Sequence, residues 1–356
     1  MHKQLFIPGP VDCRPDVLEK LATPMIGHRS ADCSALQESI SGKVQKLFQT
    51  ENTIVLSTTS GSGLMESAIR CCSAKKAAVF SVGAFGDRWY KMAVGNGKPA
   101  DKFRVEFGDY TRPEEVEKAL ATGEYDLITV THNETSTGVM NPVGEIAEVV
   151  RKYPDVVFCI DTVSSMGGVD IPVDKWGVDF CITSTQKCLG LPPGMSIASV
   201  SDKAYQRAKT VTQRGLYLDI VEIYDRVKKN YQYPSTPSLP HMFALDYQLD
   251  YILNKEGLAN RWARHTEMAD FVRAWAKKYF KLFSNEQHLS NTVTCIENTR
   301  GISVADLNKE LGKRGMTISN GYGDLKEKTF RIAHMADATM DDVRKVTGAI
   351  EDILGL

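Results

Sequence analysis

Val156-Val157-Phe158-Cys159-Ile160-Asp161-Thr162-Val163-Ser164-Ser165 is a run of apolar residues that ends on a carboxylate and then on small polar residues. A strand that is apolar at every position is buried on both faces, as in a parallel sheet covered by helices on both sides. Six similar runs flank it: Ile54 to Thr59, Ala77 to Val82, Phe103 to Phe107, Leu127 to Thr131, Phe180 to Thr183 and Met195 to Val200. Stretches with helical spacing lie between them, at Leu64 to Cys72, Asp87 to Val94, Pro113 to Ala121 and Val143 to Tyr153. The alternation predicts an α/β fold built on a seven-stranded, mainly parallel sheet. Ligands of such sheets bind at the carboxyl ends of strands, which is where Asp161 stands.

At roughly 150 residues per domain, 356 residues make about two domains, and 42% apolar residues is enough for a core in each. A disordered chain is excluded. Forty-three basic against 44 acidic residues leave a formal charge of -1, so no general field exists to hold nucleic acid or an anionic membrane. No apolar run approaches the roughly 18 residues of a spanning helix, and Met1-His2-Lys3-Gln4 leads into Leu5-Phe6-Ile7-Pro8-Gly9-Pro10 rather than a signal-peptide core. A soluble, cytoplasmic protein is expected. Cysteines at 13, 33, 71, 72, 159, 181, 188 and 295 are too irregular for a disulfide framework or a zinc site, and Cys159 and Cys181 read as core residues.

After Lys203 the texture changes. Leu258, Trp262, His265, Met268, Val272 and Trp275 form one helical stripe, and short strand candidates lie near Leu282, Thr292 to Ile296, Thr317 to Ser319 and Thr329 to His334. A final helix opens on the capping-box-like Thr339-Met340-Asp341-Asp342. With Tyr233-Pro234-Ser235-Thr236-Pro237-Ser238-Leu239-Pro240 as the linker, this reads as a large domain over 15–240 and a smaller α/β domain over 241–356. Residues 1–14 are expected to pack near the small domain and the site.

Three candidates for chemistry follow strands. Thr58-Thr59-Ser60-Gly61-Ser62-Gly63 places a small-residue loop at a helix start, a cup for an anion. It is neither a dinucleotide fingerprint, whose third glycine would fall at Glu66, nor a P-loop. Asp161 is a carboxylate that needs a cation or hydrogen bonds, or else caps the next segment. Lys187 sits between the strand Phe180 to Thr183 and the turn Pro192-Pro193-Gly194, where burial would make its amine nucleophilic, the alternative being an ordinary loop lysine. Together they suit pyridoxal 5'-phosphate: a cup for its phosphate, a carboxylate for its protonated ring nitrogen, and a lysine for its aldehyde.

The chain also carries Pro8-Gly9-Pro10, Gly27-His28-Arg29-Ser30, Ser60-Gly61-Ser62-Gly63, Thr131-His132-Asn133-Glu134-Thr135-Ser136-Thr137-Gly138, Asp161-Thr162-Val163-Ser164-Ser165 and Ser184-Thr185-Gln186-Lys187. On these six ordered motifs it resembles the class V aminotransferases of the alanine:glyoxylate and serine:pyruvate type, which have the fold-type-I architecture of pyridoxal phosphate enzymes. The resemblance implies phosphate contacts from Ser62, Gly63 and Gln186, with Leu64 at a position that is polar in some members. It implies ring contacts from Phe85, Thr135 and Val163, the ring-nitrogen partner Asp161, and Lys187 as the covalent anchor. Leu64 and Phe85 depart from the His and Trp of some relatives. Tyr233 and Thr236 match positions that reach the phosphate of a neighbouring subunit, which implies a homodimer with shared sites. Arg331, in Thr329-Phe330-Arg331-Ile332-Ala333-His334, matches the clamp for a substrate α-carboxylate, and Gly9 and Arg29 are further candidates at the substrate entrance.

The expected activity is transfer of the amino group of alanine or serine to glyoxylate or pyruvate in a ping-pong cycle. Phosphoserine, aminoethylphosphonate and ureidoglycine stay open as donors. Two rivals remain. A cysteine desulfurase or related lyase of the same fold would need a nucleophilic thiol in the second half, where only Cys295 follows Cys188. A non-catalytic subunit would have no use for Lys187, Asp161 and Arg331 together.

Overall fold

A computed structural model describes residues 2–356. In chain order its strands are β1 (Gln4–Phe6), β2 (Thr53–Ser57), β3 (Ala77–Ser81), β4 (Ala100–Arg104), β5 (Leu127–Thr131), β6 (Asn133–Glu134), β7 (Val139–Met140), β8 (Val157–Asp161), β9 (Phe180–Ser184), β10 (Ser196–Val200), β11 (Lys281–Leu282), β12 (Val293–Glu297), β13 (Met316–Asn320) and β14 (Thr329–Ala333).

Seven of them form one sheet in the order β2-β10-β9-β8-β5-β3-β4. It is parallel from β9 through β4, and β10 runs antiparallel to both its neighbours. Every residue of β2, β3, β5, β8, β9 and β10 is buried, which is why these strands read as unbroken apolar runs. The edge strand is different. β4 pairs Ala100–Arg104 with Ala77–Ser81, three residues ahead of the run expected at Phe103 to Phe107. Its charged Asp101, Lys102 and Arg104 are what an edge tolerates, and they hid it from an apolar criterion.

Helices Gly61–Cys72, Ala84–Gly95, Pro113–Leu120 and Val143–Val150 cover the sheet where helical spacing predicted them. A second sheet, β1-β13-β14-β12-β11, carries the last third of the chain, and Thr339 and Asp342 form a complete capping box on helix Met340–Leu354. Two large cores result, with a small cluster of Val11, Cys188, Val293, Ala333, Met335 and Ala336 besides. One extends from Val17 to Ile252, and the other joins Phe6 to residues between Met268 and Ile350.

Helix Leu239–Asp250 was grouped with the C-terminal unit, yet Met242, Leu245 and Leu249 are buried in the first core. Its outer side is tied to helix Ala31–Phe48, where the Lys43 ammonium reaches Asp246 at 2.7 Å and Asp250 at 2.8 Å. The first core therefore continues past the boundary expected at residue 240. The N-terminal segment begins on the other side: β1 lies parallel to β13, with Gln4 opposite Met316, before the chain crosses to the carboxyl ends of the large sheet.

Candidate active site

A cavity of about 560 Å³, counting its open mouth, is walled by Ser60, Gly61, Ser62, Phe85, Arg88, Thr135, Asp161, Val163, Gln186 and Lys187, among others. Each wall comes from just beyond a strand of the large sheet or from the first turns of the following helix, so strand ends five residues long and far apart in sequence converge on one point.

Asp161 is the last residue of β8 and only 4% exposed. One carboxylate oxygen accepts the Val163 N–H at 2.8 Å, and burial pushes the acid up to about 6. It forms no ion pair among the described residues. Lys187 follows β9 by three residues. Burial pulls its pKa down to about 8, with Arg331 and Arg88 adding repulsion against Asp161's attraction. Its ammonium donates to the Pro8 carbonyl, and Val11 N–H donates to the Gln186 carbonyl at 3.2 Å, so the N-terminal segment closes over the lysine. Gly9 takes a φ of +87° there, and a Cβ on it would run into the Lys187 side chain.

The lysine's environment has a measurable consequence. Only the neutral amine attacks an aldehyde, so the rate at which the apoprotein captures pyridoxal phosphate should rise through pH 8 and level above it. A lysine with the ordinary value of 10.5 would keep accelerating across that range. Stopped-flow absorbance against pH separates the two.

The anion cup lies at the start of helix Gly61–Cys72. Ser60 leaves its helix end uncapped by a side chain, and the first-turn N–H groups of Gly61 and Ser62 have no acceptor within the helix. Gly61 packs against Val163 so closely that a Cβ would stand 2.6 Å from a Val163 methyl. Gln186, in the same wall, keeps a buried amide oxygen without a partner. Thr135 donates its hydroxyl to Ser164 at 2.9 Å, and Phe85 lies 5.8 Å from the Tyr322 ring.

Arg331, on β14, is 6% exposed and donates to the carbonyls of Thr135 and Asn320 at 3.0 Å each. Among the described residues it has no carboxylate partner, and burial lowers its pKa. A guanidinium so placed beside Thr135 is matched to an incoming anion.

Four expected residues are occupied elsewhere. Gly63 N–H is already donated to the Ser60 carbonyl at 2.8 Å, and Leu64 is fully buried in the core. Tyr233 is buried too, and its hydroxyl accepts from Leu56 N–H of its own chain at 2.9 Å instead of facing outward. Arg29 donates to the carbonyls of Tyr233 and Pro234, holding that segment rather than the substrate mouth. Thr236 is exposed, on the wall of a separate shallow cavity of about 390 Å³. The cysteine-based rival fails on chemistry: Cys295 lies inside β12 with its thiol pushed up to about 11 by burial, and burial raises the other seven thiols as well.

Three contributing residues escaped the sequence reading. Arg88 lines the cavity one helical turn after Phe85, a spacing that could have drawn attention to it. Glu134, fully buried, accepts from Phe85 N–H and Gly86 N–H at 3.0 Å each and from Ser136, so it fixes the helix start that carries Phe85. Burial raises its pKa, against those hydrogen bonds. Arg261, also fully buried, bonds the Cys188 carbonyl beside Lys187 at 2.7 Å and Asp337 at 2.9 Å, bracing the lysine loop against the segment after β14.

A lysine, a buried carboxylate and an anion cup at the strand ends of this sheet define a fold-type-I pyridoxal-phosphate enzyme. The model of the family described as Aminotransferase class-V matches residues 18–346, and the chain belongs to that family, which is pyridoxal-phosphate dependent. An uncharacterized aminotransferase of Methanocaldococcus jannaschii is 38% identical, covering 99% of this chain and 92% of the relative. The serine–glyoxylate aminotransferase of Methylorubrum extorquens is 32% identical over 94% of this chain and 87% of its own. The crystal structure of alanine–glyoxylate aminotransferase from Nostoc sp. superposes with a TM-score of 0.94 at 26% identity, covering 99% of this chain and 96% of that one. Among the described residues no helix is long and apolar enough to cross a membrane.

Proposed function

We propose that this aminotransferase moves the amino group of a small amino acid, alanine or serine, to glyoxylate or pyruvate in a ping-pong cycle, as a cytoplasmic homodimer. The observation that carries the substrate half is Arg331, a buried guanidinium without an acid beside the cavity of Lys187 and Asp161. An α-carboxylate common to amino acids and 2-oxo acids satisfies it bidentately. The names of the two glyoxylate-using relatives support the choice of donors and acceptor.

When bound, the cofactor supplies an electron sink that lets an amino acid release its α-proton. The chain's residues do the rest. Lys187 would hold the aldehyde end and, when its amine is free, would take up and return the proton at the substrate α-carbon. Asp161, pushed up to about 6 by burial and so ionised at neutral pH, would pair with the ring nitrogen. Phe85 and Val163 would wall the ring, Thr135 would offer its hydroxyl to the ring oxygen, and Ser62, the first-turn N–H groups and Gln186 would hold the phosphate. Gly9 borders the substrate mouth beside Lys187.

A homodimer is supported by Leu216, 87% exposed, and Tyr217, which lines the shallow cavity together with Thr236: an apolar surface beside a groove suits a second copy. Eight free cysteines agree with a reducing compartment.

The test is a half-reaction screen, adding single amino acids and following loss of the cofactor's visible band. Alanine or serine should discharge it fastest, and a protein that no amino acid discharges would end this reading. Arg331→Gln should lower kcat/KM for every α-amino acid by about 10- to 100-fold, chiefly through KM, and leave cofactor binding intact. Steady-state kinetics with each donor checks it.

A further inference from the structure

The residues that the family resemblance assigns to the phosphate are all uncharged: Ser62, Gly63 and Gln186, with Leu64 buried in the core and the Tyr233 hydroxyl turned to Leu56. A phosphate monoester brings a charge of about -1.5 to -2, against roughly half a positive charge from a helix N-terminus. Among the described residues two cations line the cavity, Lys187 and Arg88, and the lysine would be taken up by the aldehyde. Arg88 donates to the Ser62 hydroxyl at 2.9 Å, inside the cup. Its guanidinium carbon lies 4.7 Å from the centre of the Phe85 ring, one turn back on the same helix, which holds the group flat against that wall. The helix start is in turn pinned by Glu134 through Phe85 N–H and Gly86 N–H. Among the described residues Arg88 forms no ion pair, unlike its neighbour Asp87, which meets Lys102 at 3.2 Å.

We propose that Arg88 is the cationic ligand of the cofactor phosphate, supplying through the Ser62 edge of the cup the positive charge that the helix start and the neutral side chains lack. The proposal rests on the reading of this cavity as the pyridoxal-phosphate site. The guanidinium is pre-oriented by Phe85 and Ser62, so little side-chain freedom is lost when the anion arrives.

The discriminating experiment compares two aldehydes on apoprotein: pyridoxal phosphate, and pyridoxal, which has the same ring and aldehyde without the anion. Equilibrium titration by visible absorbance gives the affinity of each for the parent, Arg88→Gln and Arg88→Lys. Arg88→Gln should weaken pyridoxal phosphate by about 10- to 100-fold and leave pyridoxal within about twofold, and Arg88→Lys should recover part of the loss. The phosphorus-31 resonance of the bound cofactor should shift between parent and Arg88→Gln. Equal losses for both aldehydes would reduce Arg88 to a structural role and overturn the proposal. Unchanged affinity with slower turnover of acidic donors alone would overturn it in favour of a substrate contact, since Arg88 also borders an outer cavity with Lys91 and Arg104. If the parent captured neither aldehyde, the cofactor reading itself would fall with it.

Discussion

Lys187→Ala will lower transamination by about 10⁴-fold, the full range credited to a positioned proton-transfer group, and the visible band that the bound cofactor owes to this amine will vanish. No other amine can substitute, because Lys187 is the only lysine in the cavity wall, and Arg88 and Arg331 are held by Ser62 and by the Thr135 and Asn320 carbonyls. Lys187→Arg should be equally inactive, since a guanidinium stays protonated and cannot take up a proton. Single-turnover kinetics with alanine decides the matter: residual rates within tenfold of the parent would remove Lys187 from the chemistry. A small added amine, by contrast, should restore part of the Lys187→Ala rate by occupying the emptied space.

Asp161→Asn will cost about 10²- to 10³-fold in kcat, the effect of stripping one partner from a buried charge pair. The amide keeps an oxygen for the Val163 N–H, so the loop holds its shape and the cofactor still binds; what disappears is negative charge. The pH profile gives an independent reading. In the apoprotein a carboxylate pushed up to about 6 by burial is ionised above that value and protonated below it, and pairing with the protonated ring nitrogen would lower it, so the parent's affinity for the cofactor should fall as pH drops through 6. In Asp161→Asn this acid limb should be absent. A limb that persists belongs to another group and would strip Asp161 of its assigned part.

The sheet was legible because its central strands are buried on both faces and so carry no charged residue other than Asp161 at the end of β8, as in Ile54 to Leu56 and Val157 to Ile160. On the partly exposed edge the signal fails, which moved β4 by three residues, and the pairing of β6 with β7 went unseen because each has only two residues and those of β6 are polar. Helix Leu239–Asp250 could not be assigned to a core from its own pattern, because its partner, helix Ala31–Phe48, lies far away in sequence.

Asp161 and Lys187 stand out because each is a charged residue at or just after an apolar strand, and Ser62 because it lies in a small-residue loop that opens a helix. Glu134, Arg88 and Arg261 carry no such mark. Their parts depend on long-range partners, Phe85 N–H, Ser62 and Cys188, that only the folded chain brings near. Tyr233 marks a different limit: a motif match gave it a task in a neighbouring subunit, and within its own chain its hydroxyl accepts from Leu56 N–H.

Since β1 can pair only once β13 has been made, the backbone carbonyl of Pro8 cannot settle onto Lys187 until translation has passed Met316. The Lys187 amine thus emerges from the ribosome after the segment that will cover it but long before that segment can be anchored, and the nascent enzyme gains a finished site only as synthesis nears its end.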